Sequence, residues 1–218
     1  MKKVQISPSI LGVKKDHLSF VCNQLLSASS DLIHFDVMDG VFVDNKSFVE
    51  DEISLVSSLV NHKIIDVHLM CKDLKYYIPQ YANEKVKYIS IHYEAVDSLS
   101  LIYYSDIIRS LNIHPGIVIN PETDVKEIIP LLNFFDLVLV MSVHPGRGGQ
   151  TFIESSFDKI KFLDDYRKEN NLKFVIEVDG GINAETSKKC IENGADILVS
   201  GSYIIKSDDY QKQIESLK

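Results

Sequence analysis

The sequence predicts an α/β fold, a single-domain (β/α)8 TIM barrel, on three observations. Short β-branched runs alternate with longer amphipathic stretches from end to end, the pattern of repeated βα units on a parallel sheet. Eight such runs are evenly spaced, which favours closure into a ring. Ionisable or sulfur-bearing side chains recur where the runs end, and a parallel barrel carries its chemistry at the C-terminal ends of its strands.

Strands are expected at 4–7, 32–37, 64–69, 88–92, 116–120, 137–143, 174–179 and 197–201. Helical stretches lie between them at 17–29, 47–60, 98–111, 155–168 and 184–193. Asn183 precedes Ala184 as an N-cap, and Gly194 follows Asn193 where a left-handed residue ends a helix. At 218 residues, with no linker or compositional break, the expectation is one domain over 1–218. An open doubly wound sheet is the alternative, since periodicity does not report closure.

Hydrophobic content of 45% and charged content of 25% are ordinary for a globular protein, and no apolar run approaches the roughly 20 residues that span a bilayer. The basic start Met1-Lys2-Lys3 leads into only a strand-length apolar segment, so no secretory signal is expected and the location reads as cytoplasmic. A net charge of −8 disfavours nucleic acid, which is held by clustered Lys and Arg. Cys22, Cys71 and Cys190 have neither metal-knuckle nor redox spacing and read as reduced structural thiols.

Four segments end an apolar run in reactive side chains: Ile33-His34-Phe35-Asp36-Val37-Met38, Asp66-Val67-His68-Leu69-Met70, Val140-Met141-Ser142-Val143-His144 and Glu177-Val178-Asp179-Gly180. His34 and Asp36 stand two apart on one strand and so leave the same face. His68 ends the next strand and Asp179 the seventh, and in a closed barrel such ends meet at one mouth. Each alone reads as a satisfied core histidine or a turn-capping aspartate. Together they read as one site, because several buried unpaired charges would otherwise be costly. Two imidazoles and two carboxylates suit one divalent ion, zinc, iron, manganese or cobalt, better than magnesium or calcium. Met38, Met70 and Met141 stand at or beside the same ends, either as core filling or as a low-polarity cap over the site. His17, His62, His92, His114 and His144 lack ligand company and read as structural, with His92 set apart because it too ends a strand.

Glycine-bearing turns follow the last three strands: His144-Pro145-Gly146-Arg147-Gly148-Gly149-Gln150, Asp179-Gly180-Gly181-Ile182-Asn183 and Ser200-Gly201-Ser202. Glycine lets backbone amides approach an anion, and the loops after strands seven and eight are where barrels commonly hold phosphate. Arg147 either adds positive charge to that cradle or points into solvent.

Taken together, these motifs resemble the ribulose-phosphate 3-epimerase family of the pentose phosphate pathway. The likeness runs through SPSIL (7–11), HFDVMDG (34–40), DVHLM (66–70), INPET (119–123), VMSVHPGRGGQTFI (140–153), VDGGI (178–182) and GADILVSGSYI (194–204). The resemblance implies a (β/α)8 barrel with metal ligands His34, Asp36, His68 and Asp179, Asp36 accepting a proton and Asp179 donating one. It implies substrate contacts at Ser9, His68, Gly146, Arg147, Gly148, Gly149, Asp179, Gly180, Gly181, Gly201 and Ser202, beside the cap that strand-end position alone suggests for Met38, Met70 and Met141. A small-molecule ketose phosphate is then the expected partner, with neither nucleic acid nor membrane, and a homo-oligomer is expected. Arg147 stands where the family usually has Phe, 42–45 reads FVDN for the usual FVPN, and the glycine-containing continuation after Asn45 is missing. None of these touches a ligand or an acid/base residue.

Inverting a carbon beside a ketone takes a proton from one face and returns one to the other, so two acid/base groups must flank it. Asp36 and Asp179 are expected from opposite sides of the barrel. A free aspartate, with a pKa of about 3.9, is a feeble base for C–H, so the metal must polarise the ketone and stabilise an enediolate. The expected reaction is the interconversion of D-ribulose 5-phosphate and D-xylulose 5-phosphate, with a longer ketose phosphate such as allulose 6-phosphate as the near alternative. A phosphosugar-binding barrel without turnover gives no reason for two acid/base carboxylates. An orotidine monophosphate decarboxylase needs a lysine interleaved with strand aspartates, which His34-Phe35-Asp36 lacks.

Overall fold

The computed structural model describes residues 4–28, 30–47, 50–62 and 64–218. The predicted helix end at 29 and positions 48–49 of the second predicted helix lie outside the described residues. One sheet holds β1 Gln5–Pro8, β2 Ile33–Asp39, β3 Lys46–Ser47, β4 Ile65–Met70, β5 Val86–His92, β6 His114–Ile119, β7 Leu137–Met141, β8 Val175–Asp179 and β9 Ile197–Ser200. Neighbours in the order β1-β9-β8-β7-β6-β5-β4-β2 are parallel, and the short β3 runs antiparallel beside the end of β2. At the seam between β1 and β2, Ser9 forms a parallel bridge with His34, and the Ile10 N–H donates to the His34 carbonyl at 3.2 Å. The sheet thus curls round to meet itself as a barrel, and the open doubly wound alternative falls.

The helices are α1 Lys15–Ser27, α2 Glu50–Leu59, α3 Leu74–Tyr81, α4 Ser98–Ser110, α5 Ser156–Glu169, α6 Ala184–Glu192, α7 Ser202–Ile205 and α8 Tyr210–Ser216. Asn183 caps α6 as expected: its side chain accepts the N–H groups of Glu185 and Thr186 while the Thr186 hydroxyl accepts its own N–H. Gly194 ends the same helix at φ +106°. Between β6 and β7 the chain forms a 3-10 helix, Val125–Phe134, in which Pro130 has no N–H to offer an α-helical ladder. β7 stops two residues short of the predicted end because Ser142 turns toward β8, its N–H donating to the Asp179 carbonyl at 2.8 Å.

Strand alternation sorts the barrel into two surfaces. Phe35 of β2 packs outward against Tyr81 of α3, with ring centroids 6.2 Å apart and both side chains buried. His34, Asp36 and Met38 point the other way, into the barrel. No helix among the described residues is long and apolar enough to cross a membrane.

Away from that interior, Arg167 of α5 ties three segments together. Its guanidinium donates to Asp164 at 2.8 Å, to the Phe174 carbonyl at 3.0 Å, to the Gly194 carbonyl at 2.9 Å and to the Asp196 carboxylate. Asp196, just before β9, also accepts the Ile176 N–H of β8 at 2.8 Å, so losing the guanidinium removes the cation beside a buried carboxylate. Arg167→Ala should cost about 3 kcal/mol of stability, read from urea unfolding, with the specific activity of folded protein unchanged.

Candidate metal and acid/base site

The register of β2 on β4 pairs His34 with Asp66, Asp36 with His68 and Met38 with Met70. Inside the barrel these pairs form successive layers. The lowest joins His34 and Asp66 to Glu177 of β8; the next joins Asp36 and His68 to Asp179 of β8 and Ser9 beyond β1; the methionines lie above. Ligand atoms of His34, Asp36, His68 and Asp179 all fall within 4.8 Å of one another. The four residues expected to share a site do meet. Asp36 and Asp179 are not diametrically opposed, since only β1 and β9 separate β2 from β8 on the short way round.

Hydrogen bonds orient His34, His68 and Asp36. His34 Nδ1–H donates to Asp66 Oδ2 at 2.7 Å, which turns its Nε2 lone pair inward, 3.4 Å from Asp36 Oδ1 and 3.9 Å from Asp179 Oδ2. That Nε2 is buried without a hydrogen-bond partner. His68 Nδ1 lies 3.2 Å from Asp36 Oδ1 and 3.9 Å from Asp179 Oδ2. Ser9 Oγ donates to the other Asp36 oxygen at 2.8 Å. Two imidazole nitrogens and two carboxylates converging around an orphaned Nε2 fit a divalent ion of the zinc, iron, manganese or cobalt kind.

Electrostatics separate the carboxylates. Burial would raise Asp36, but His34 and His68 outweigh it and hold the group far below the usual carboxylate range. Asp179 is instead pushed up to about 6 by burial and by the neighbouring Asp36. Burial opposes charge on His34, yet Asp36 and Asp66 prevail and hold it well above the ordinary imidazole value. The cluster therefore calls for positive charge, which a proton or a metal ion can meet. Below it, burial and the adjacent Asp66 push Glu177 well up, toward the neutral acid.

A cavity of about 910 Å³ opens above this cluster. Ser9, Asp36, Met38, Met70, Met141, Asp179 and the expected cradle residues Gly146, Arg147, Gly148, Gly149, Gly180, Gly181, Gly201 and Ser202 all line it. His34 and His68 have no exposed surface and sit beneath its floor. Met38, Met70 and Met141 are buried around that floor, and Arg147 is exposed on the rim. Gly181, at φ +63°, shows why glycine is required: a Cβ there would lie 2.5 Å from the Phe152 backbone nitrogen. Ser142 Oγ holds the same turn by donating to the carbonyls of Asp179 and Gly180 at 2.9 and 2.7 Å.

Three buried polar residues and the half-buried Glu94 join the site beyond those expected from the sequence. Asp66 and Glu177 stand two positions before His68 and Asp179, the same i, i+2 spacing that relates His34 to Asp36. His92, read as structural, has its Nε2 2.8 Å from His68 Nε2, and Glu94 lies 3.1 Å from His92 Nδ1. Burial pushes His92 down to about 4, so it is neutral at ordinary pH.

An eight-stranded parallel barrel with an acid/base, cation-fitting centre under a glycine-lined cavity defines a class of small-molecule barrel enzymes. The ribulose-phosphate 3 epimerase family model matches residues 5–205, and the chain belongs to that family of isomerases. It is 36% identical to ribulose-phosphate 3-epimerase of Bacillus subtilis (strain 168), across 99% of this chain and 98% of that protein. It is 38% identical to the chloroplastic ribulose-5-phosphate-3-epimerase of Arabidopsis thaliana, across 98% of this chain and 75% of that protein. Among solved structures, 3-keto-L-gulonate-6-phosphate decarboxylase from Vibrio cholerae O1 biovar El Tor matches with a TM-score of 0.74 at 13% identity, over 99% of this chain and 96% of that one. The 3-hexulose-6-phosphate synthase from Salmonella typhimurium matches with a TM-score of 0.70 at 15% identity, over 98% and 96%. These two establish the barrel fold.

The raised Asp179 makes a prediction for chelator-treated protein. Below about pH 4 the group is protonated whether the chain is folded or not; as pH rises through about 6, folding must ionise it in a hostile setting and stability is lost. Asp179→Asn should therefore unfold like the parent at about pH 4 and be more stable by up to about 3 kcal/mol near pH 8, measured by urea midpoints.

Proposed function

We propose that the protein catalyses the reversible 3-epimerisation of D-ribulose 5-phosphate to D-xylulose 5-phosphate. The observation that carries this reading is the pair Asp36 and Asp179: two carboxylates from different strands, meeting in one cluster at the floor of one cavity, with proton affinities driven apart. Membership of the epimerase family supports the substrate, and the glycine-lined end of the cavity suits its phosphate.

In the forward direction Asp36, ionised and aimed by the Ser9 hydroxyl, takes the C3 proton. Asp179, which holds a proton more readily, returns one to the opposite face. In the reverse direction the two exchange roles, and they act as a coupled pair. When bound by His34, Asp36, His68 and Asp179, a divalent ion supplies Lewis-acid polarisation of the ketone and compensates the charge that its oxygen takes up. The methionines keep water from the reacting carbon, which strengthens every charge interaction below them. The loops at Gly146–Gly149, Gly180–Gly181 and Gly201–Ser202 hold the phosphate and so fix C3 over the carboxylates. Arg147 on the rim adds a positive charge to that end.

Asp36→Asn and Asp179→Asn should each lower kcat by about 10²- to 10⁴-fold with little change in KM. Metal-replete parent protein should exchange the C3 hydrogen of ribulose 5-phosphate with solvent deuterium, and a chelator should stop the exchange. Near-normal rates in both variants would sink the two-carboxylate mechanism. A much higher kcat/KM on allulose 6-phosphate would move the assignment to the longer sugar.

A further inference from the structure

A chain of polar groups runs outward from the site behind His68. Its Nε2 lies 2.8 Å from His92 Nε2; His92 Nδ1 lies 3.1 Å from Glu94 Oε2; and Glu94 Oε1 accepts the Asn120 N–H at 2.8 Å and the Thr123 hydroxyl. The loop bearing Asn120 and Thr123 is pinned in turn by Lys159 of α5, whose Nζ donates to the carbonyls of Asn120, Pro121 and Thr123 at 2.9, 2.7 and 2.6 Å. The Phe42 ring covers His92 with centroids 4.5 Å apart, and His92 has no exposed surface.

The direction of every hydrogen bond in this chain follows from its outer end. Glu94 accepts two hydrogen bonds at Oε1, from Asn120 and Thr123, and these donors help hold it below the usual carboxylate range despite its burial, so it is an ionised acceptor at Oε2 as well and His92 must present Nδ1–H to it. With no exposed surface and the Phe42 ring across its face, His92 sits where a charged imidazole is disfavoured, so beside Nδ1–H it has only a lone pair at Nε2. His68 must accordingly donate from Nε2–H, and its Nδ1 is left as a lone pair facing Asp36 and Asp179. One carboxylate thus sets two imidazole tautomers in series. A histidine ligand needs such an unprotonated nitrogen, and the group on its far side decides which nitrogen that is.

We propose that Glu94 is a positioning residue that acts through His92 to hold His68 in the tautomer that binds a cation through Nδ1. The proposal rests on the metal reading of the cluster, and its test separates the two. Glu94→Gln keeps the shape and can still accept from Asn120, but it presents an amide donor to His92. That reverses both bonds and places a proton on His68 Nδ1. His92→Gln preserves the polarity, since one amide can accept from His68 and donate to Glu94.

Zinc affinity, measured by competition with a chromogenic chelator, should fall about 10- to 100-fold in Glu94→Gln and stay within about threefold of the parent in His92→Gln. Melting temperatures of the metal-free proteins should stay close together. Histidine ¹⁵N spectra of the metal-free parent should show His68 protonated at Nε2, a result independent of any variant and of whether zinc binds. A His68 protonated at Nδ1, or a Glu94→Gln protein that binds zinc like the parent, would overturn the proposal. Failure of the parent itself to take up zinc would instead strike at the metal reading, with the spectra still deciding the tautomer.

Discussion

Charge taken into a dry barrel interior must find a partner there, and the upper half of this barrel is arranged around that need. His34, Asp66, His68, His92 and Glu177 have no solvent-exposed surface, and Asp36 has almost none. The parallel register of β2 on β4 sets a carboxylate beside an imidazole in each layer, Asp66 with His34 and Asp36 with His68. A slip of β2 by one residue would turn His34 and Asp36 outward into the helix layer and leave Asp66 and His68 without partners, so the strand register also holds the site. Glu177 completes the lowest layer without adding charge, because burial beside Asp66 favours its neutral form. Asp179 is left as the least compensated carboxylate, and its readiness to hold a proton follows from that position.

The same pairing explains which parts of the molecule were legible in the sequence. Eight β-branched runs and the turn chemistry at Asn183 and Gly194 are local properties, and they located the strands and the end of α6. His34 and Asp36 declared themselves by i, i+2 spacing on one strand. Asp66 and Glu177 carry the same spacing relative to His68 and Asp179, yet a carboxylate two residues below a ligand looks no different from a strand-end polar residue until the register places it against an imidazole. His92 and Glu94 were harder still. Their roles depend on β5 lying beside β4 and on a loop from β6 reaching back to Glu94, contacts separated by 24 and 26 residues or more. The span between Asp36 and Asp179 was also invisible, since strand order round a ring is a property of the whole sheet. The 3-10 helix between β6 and β7 had a local cue in Pro130, but the apolar pattern around it does not distinguish a tight helix from an α-helix.

The structural neighbours sharpen what the fold itself contributes. Chains at 13% and 15% identity superpose on this one along nearly their whole length and carry names for decarboxylation and for hexulose phosphate synthesis. A barrel scaffold therefore leaves the reaction open. What narrows it here is a handful of side chains on inward strand positions. A decarboxylase centre of the aspartate–lysine type needs a fixed ammonium among its carboxylates, and the inward positions of β2 and β4 carry His34, Asp36, Met38, Asp66, His68 and Met70 instead. Imidazoles in those places can hold a cation by lone pairs, and on the proposed reading the positive centre is then an exchangeable ion, which requires each imidazole to present an unprotonated nitrogen. That requirement explains why so much buried polar structure stands behind each histidine: a lysine needs no tautomer, whereas His34 relies on Asp66, and His68 on His92 and Glu94, to turn the correct nitrogen inward.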